Sequence, residues 1–181
     1  AYADWSRHGA DDGVPVFLGL LTRWLSGQDV LFAEFGAPTY PGRGGDLDGL
    51  DRLPEDHAAA YTGRVLEALH RFGFLGALLW CFADYDPALG DEPPFDEAPH
   101  EMSFGLWRSD GSAKPALDAV RDFGAREKEN PRVDLGWIDV TPEEFLSDPA
   151  RHLERLYAAF TAGVTVPATS GSGTRPPRRM G

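Results

Sequence analysis

Asp29-Val30-Leu31-Phe32-Ala33-Glu34-Phe35 and Phe74-Leu75-Gly76-Ala77-Leu78-Leu79-Trp80-Cys81-Phe82 are the two stretches that decide the fold class. Both are strand-length apolar runs without polar alternation, the pattern of strands covered on both faces in a parallel sheet. Upstream of the first run, Phe17, Leu20, Leu21, Trp24 and Leu25 recur at helical spacing. Asp12 can cap that helix, and Ser26-Gly27-Gln28 ends it. Between the two runs, Tyr61, Val65, Leu69 and Phe72 form the stripe of a second helix, with Asp56 as its cap and Gly73 just past its end. Beyond the second run, Leu117, Val120 and Phe123 mark a third helix that enters at Lys114-Pro115 and stops at Gly124.

The order helix, strand, helix, strand, helix predicts an α/β fold with two parallel strands joined by a right-handed crossover. The links from helix to strand are tight, whereas those from strand to helix run over residues 36–55 and 83–113. Long loops at the C-terminal ends of parallel strands are where α/β proteins build active sites. Two strands do not make a stable parallel sheet, so further strands are expected before Ala1, whose neighbourhood reads as a cut. After Gly124 comes a polar bridge. Thr141-Pro142-Glu143-Glu144 then spells a capping box with proline at the first helical position, and Asp148-Pro149 opens a longer helix with the stripe Leu153, Leu156, Tyr157, Phe160. From Thr165 the composition turns to Pro, Thr, Ser, Gly and Arg, which predicts a disordered tail. The expected division is residues 1–124, then a helical extension over 125–163, then the tail over 164–181. No internal repeat of solenoid or propeller period is present.

Composition narrows the partners. Seventeen basic against 29 acidic residues give a formal charge of -12, which repels phosphate backbones and anionic membranes. No run approaches the length a membrane span needs. A hydrophobic content of 42% over 181 residues is enough for a packed core. The single cysteine, Cys81, excludes an internal disulfide and any multi-thiolate metal site, and its place in an apolar run predicts a buried, inert thiol. No serine nucleophile elbow and no phosphate-binding glycine pattern follow either strand. Asp84, Asp86, Asp91 and Glu92 lack the ordered spacing of a calcium loop and predict a solvated acidic loop, so no metal or cofactor is expected. His57 and His70 are expected on the solvent side of their helix.

Glu34 is the chemically conspicuous residue. A carboxylate near the C-terminal end of an apolar strand carries a desolvation cost that a catalytic task would justify. A pairing with an arginine elsewhere, or an outward position at a frayed strand end, would explain it equally.

Ala33-Glu34-Phe35-Gly36, then Gly76-Ala77-Leu78-Leu79-Trp80, then Phe104-Gly105-Leu106-Trp107-Arg108-Ser109-Asp110-Gly111-Ser112-Ala113-Lys114-Pro115-Ala116 resemble, in order and spacing, the last part of the (β/α)8-barrel retaining glycoside hydrolases of the cellulase and β-mannanase clan. The resemblance covers roughly residues 14 to 124 and implies a partial TIM barrel, strands seven and eight with their helices. It implies that Glu34 is the nucleophile of a double displacement and that Trp80 stacks under the sugar at the cleavage point. His100 and Glu101, just before the Phe104-Gly105 turn, are expected to hydrogen-bond a sugar hydroxyl from the rim in preference to a metal role, since no second His sits at ligand spacing. Tyr2 would correspond to the aromatic or histidine at the end of the sixth strand, or is an ordinary terminal aromatic; Trp5 would line the same cleft or cover an edge. The clan's acid/base, a Glu after an Asn on the fourth strand, has no counterpart here, so the chain alone is expected to be inactive. A barrel that kept the cleft and lost catalysis, binding carbohydrate or serving structure, is the alternative. An open flavodoxin-type sheet is a third.

Overall fold

The computed structural model describes residues 13–40, 52–127 and 131–163. The elements are α1 (Gly13–Ser26), β1 (Leu31–Phe35), β2 (Thr39–Tyr40), β3 (Leu53–Pro54), α2 (Glu55–Arg71), β4 (Gly76–Leu79), α3 (Ala116–Gly124), α4 (Pro142–Ser147) and α5 (Pro149–Gly163). The expected cap at Asp12, together with Tyr2, Trp5 and the tail, lies outside the described residues.

β1 and β4 pair in parallel, as the crossover through α2 requires. The second strand is shorter than the apolar run suggested, four residues in place of nine. The run loses its partner at Trp80, whose N–H still donates to Phe35 O at 2.9 Å. From Cys81 onward the chain turns to residues 104–107: Cys81 N–H donates to Phe104 O at 3.2 Å, and Leu106 N–H donates to Cys81 O at 3.1 Å. Periodicity cannot reveal such a change of partner. The glycine-rich link after β1 also hides an element, since β2 and β3 form a second small parallel pair immediately before α2.

One core joins the helices to one face of the β1–β4 pair. Val14, Phe17 and Leu20 of α1, Phe32 and Phe35 of β1, Tyr61, Val65 and Leu69 of α2, and Leu156 and Phe160 of α5 are buried together. Phe17 lies at its centre, 5.2 Å from the Tyr157 ring and 5.5 Å from Trp137. Arg23 of α1 reaches the end of α2 and donates to the carbonyls of Phe72 and Gly73 at 3.0 and 2.9 Å, where the helix dipole favours a cation. Its guanidinium covers the Phe74 ring at 4.7 Å. Gly73, with φ of 65°, makes the turn from helix to strand possible.

Two local expectations change. α2 begins at Glu55 with Pro54 at its cap position, so Asp56 lies inside the helix and accepts from His57 N–H. His57 is exposed, but His70 is half-buried: its ring meets Phe123 of α3 edge-on at 5.8 Å, and Nε2 lies 2.6 Å from Glu127 O. α3 packs along that side of α2, a neighbour that α2's own sequence does not announce. The two C-terminal helix starts form as spelled: Thr141 and Glu144 make the reciprocal capping box, and Asp148 accepts from Arg151 N–H at 3.2 Å.

The loops beyond β1 and β4 are tied together by a buried cation. Lys114, 2% exposed, donates from Nζ to Asp84 Oδ1 at 2.6 Å, Thr39 Oγ1 at 2.7 Å and Ser103 O at 3.0 Å. The ammonium's three donors thus each find an acceptor. Asp84 is therefore not a freely solvated loop acid; it is a half-buried anion that also accepts from Gly105 N–H at 2.8 Å. Asp86 caps a short 3-10 turn through Ala88 N–H, while Asp91 and Glu92 are exposed.

Two substitutions test this packing. A Cβ on Gly19 would fall 2.6 Å from the Phe74 ring and 2.7 Å from Phe32, two rings locked edge-to-face at 5.3 Å. Overpacking of about 1–3 kcal/mol should outweigh the roughly 1 kcal/mol that alanine gains within a helix, so Gly19→Ala lowers the urea midpoint. Lys114→Met leaves the half-buried Asp84 carboxylate without its cation and should cost about 2–4 kcal/mol in the same measurement. A loss below 1 kcal/mol would mean that the pair does not hold the loops.

Candidate active site

β1 carries an extra residue opposite β4. Phe32 pairs with Ala77 and Phe35 with Leu79, so three steps on β1 answer two on β4. This bulge returns Phe35 to the helix-covered face already occupied by Phe32, and leaves Ala33 and Glu34 together on the other. The burial pattern agrees: Phe32 and Phe35 are buried, and Ala33 and Glu34 are exposed. On β4 the same face carries Leu78, 60% exposed, followed one alternation later by Trp80. Glu34 and Trp80 therefore stand on the side opposite the described helices, at the C-terminal ends of neighbouring parallel strands. In the register, Glu34 precedes and Trp80 follows the paired residues Phe35 and Leu79 by one position each.

The backbone around them is tightly constrained. Gly36, one position on from the paired Phe35, sits against Trp80, and a Cβ there would lie 2.3 Å from Trp80 O. Gly105 is more confined still, with Asp84 N only 2.1 Å from where its Cβ would be. The Trp80–Cys81 peptide is cis. Behind this backbone lies a cavity of about 20 Å³, lined among others by Gly36, Thr39, Trp80 and Lys114. Such a volume holds a water molecule and is far too small for a pyranose, so a sugar would have to approach from the open side of Trp80. Larger hollows of about 610 and 450 Å³ lie among the helices around Arg71 and Phe72, on the covered side of the sheet.

His100 and Glu101 belong to a 3-10 segment, Pro99–Ser103, that the loop after β4 brings back to Trp80. Trp80 Nε1 donates to Glu101 Oε2 at 3.1 Å. His100 Nε2 lies 3.5 Å from Glu101 Oε1, and its ring meets Phe104 edge-on at 6.3 Å. The structure thus brings Glu34, Trp80, Glu101 and His100 to one end of the β1–β4 pair. Cys81 is half-buried, and burial, assisted by the charge of Asp84, pushes its thiol pKa up. A raised pKa disfavours the thiolate that nucleophilic use would need. Among the described residues, no three His, Cys, Asp or Glu side chains are gathered as a metal ion requires, and no helix is long and apolar enough to cross a membrane.

Sequence reasoning missed the supports beneath this group. Thr39, Ser103 and Lys114 come from three separate segments, and nothing in their local context marks them as partners. In the sequence Arg108 is one residue of the Phe104–Ala116 stretch with nothing to mark its partner. Its Nε donates to Glu55 Oε1 at 2.9 Å and its NH2 group to Oε2, a two-pronged pair that raises the Arg108 pKa. NH1 donates to Ala113 O at 2.9 Å, so Arg108 both closes the Asp110-Gly111 turn and fastens it to the start of α2.

No protein-family model matches the sequence, and no curated protein matches it. Solved structures do resemble it. A GH5_18 protein from Streptomyces cattleya in complex with GlcNAc is 26% identical with a TM-score of 0.50, over 68% of this chain and 27% of that one. A glutamate-to-alanine variant from the same organism, in complex with Manβ1-4GlcNAc, is 25% identical with a TM-score of 0.54, over 70% and 30%. A β-glucuronidase from Faecalibacterium prausnitzii, 19% identical with a TM-score of 0.50 over 72% and 22%, shares the fold alone. The structural neighbours of this chain are thus TIM-barrel glycoside hydrolases, and it spans between 27% and 30% of the length of the two GH5_18 chains described.

Proposed function

We propose that this chain supplies the nucleophile and one sugar-stacking wall of a retaining glycoside hydrolase, as strands seven and eight of a (β/α)8 barrel. The reading rests on one observation: Glu34 and Trp80 end two adjacent parallel strands, both on the face that carries no helix among the described residues. In a closed barrel that face is the interior, and its C-terminal rim is where catalysis takes place. The exposed Leu31 and Leu78 on the same face are then interior residues whose neighbours come from the rest of the barrel.

The chemistry is a double displacement. Glu34 attacks the anomeric carbon as the leaving oxygen takes a proton from a second carboxyl group, and a glycosyl ester forms on Glu34. That second group then removes a proton from water, which attacks the same carbon and releases Glu34 with net retention. The two carboxyl groups stand roughly 5 Å apart in this mechanism, and the second belongs to a segment outside this chain. Trp80 offers an apolar indole face to the C–H face of the pyranose. The loop over residues 84–101 carries seven acidic side chains and no lysine or arginine, so an uncharged sugar suits the rim better than a uronate. A β-linked mannosyl-GlcNAc unit, the ligand of a structural neighbour, is the first substrate to offer.

The test uses the full-length protein that contains this chain. Glu34→Ala should lower kcat on an aryl β-mannoside and on Manβ1-4GlcNAc by roughly 10⁴-fold. Added azide should restore turnover of the aryl substrate and yield the α-glycosyl azide. Undiminished hydrolysis by Glu34→Ala would end the nucleophile assignment, and binding without turnover in the unmutated protein would favour a carbohydrate-binding barrel.

A further inference from the structure

A tryptophan at a strand end can turn about two side-chain torsions, and a stacking platform is useful only if its plane is held. The Trp80 indole has one polar atom with which to hold it. That atom, Nε1, donates to Glu101 Oε2 at 3.1 Å. We infer that Glu101 is a positioning residue: it fixes the plane of the Trp80 indole and so sets how tightly the sugar binds, an inference that takes its sugar from the function proposed above.

Three features make Glu101 suitable for this task. Its side chain is 35% exposed, so the carboxylate keeps part of its hydration and remains a strong acceptor at the edge of the ring. His100 flanks the other oxygen at 3.5 Å, and Phe104 backs His100, which limits the directions in which the carboxylate can swing. The backbone beneath is anchored as well. Ser103 O, two residues along the same 3-10 segment, accepts from the buried Lys114 Nζ at 3.0 Å and from Thr39 Oγ1 at 2.9 Å. Thr39 follows β1 and Asp84 follows β4, so the clamp that holds Glu101 is referenced to both strands that carry Glu34 and Trp80. The indole is thereby oriented relative to the nucleophile strand through hydrogen bonds and not through packing alone.

The experiment compares Glu101→Ala with Glu101→Gln in the full-length protein, with tryptophan labelled at the indole nitrogen. The Trp80 resonance is identified by its loss in Trp80→Phe. Loss of the acceptor in Glu101→Ala should shift that resonance and raise KM for the aryl β-glycoside roughly 10-fold with a smaller effect on kcat. Glu101→Gln, whose amide oxygen can still accept from Nε1, should recover most of both changes. An unmoved Trp80 resonance in Glu101→Ala overturns the inference, as does a glutamine variant as impaired as the alanine one. The resonance reads the hydrogen bond whether or not the protein hydrolyses glycosides. Failure of the proposed function, seen with Glu34→Ala, is therefore distinct from failure of this assignment.

Discussion

An ammonium group buried to 2% exposure dictates the form of everything at the C-terminal end of the strands. A lysine carried out of water loses several kcal/mol of hydration unless each of its donors is answered. Lys114 is answered by a carboxylate that follows β4, a hydroxyl that follows β1 and a main-chain carbonyl from the 3-10 segment between them. None of these three can move away alone without exposing the others to that cost. Long loops, which would otherwise sample many arrangements, are thereby given one. Asp84 extends the constraint by accepting from Gly105 N–H, at a point where the chain passes too closely for any residue but glycine.

The sheet has two unlike faces, and the β1 bulge decides which residues go where. One face is filled by α1 and α2 and bears Phe32, Phe35, Ala77 and Leu79. The other carries no helix among the described residues and bears Leu31, Leu78, Glu34 and Trp80. Without the extra residue, alternation would put Glu34 on the same face as Phe32, inside the apolar core, where a carboxylate is costly. The bulge resolves a conflict between a strand that is apolar at Phe32 and Phe35 and an acid one position before the second of them. The strand-end aromatic is then supported from the side by Glu101 and from behind by the crossing of Gly36 over its carbonyl.

Several parts of this arrangement were legible in the residues. The two apolar runs, the helix between them and the tight turn at Gly73 predict a parallel pair. Thr141-Pro142-Glu143-Glu144 predicts a helix start that forms with both reciprocal bonds. These succeed because the relevant forces act over four or five neighbouring positions. Other parts were hidden. The second apolar run reads as nine strand residues, yet its last two, Cys81 and Phe82, bond to a segment some 25 positions later, and composition is blind to partner exchange. His70 reads as solvent-facing because its own helix offers no clue to α3. Asp84 reads as one acid among several in a polar loop, since its cation lies 30 positions away.

By itself the sequence determined the order of elements, the parallel sense of the strands, the starts of the two C-terminal helices and the candidacy of Glu34 and Trp80, all set by local spacing, propensity and chain connectivity. Tertiary structure alone decided that Glu34 faces away from the helices, that Glu101 returns to the Trp80 indole and that Lys114 binds three segments at once. Those outcomes depend on which distant groups meet when apolar surface is buried, and on the cost of leaving a polar group unpaired where they meet.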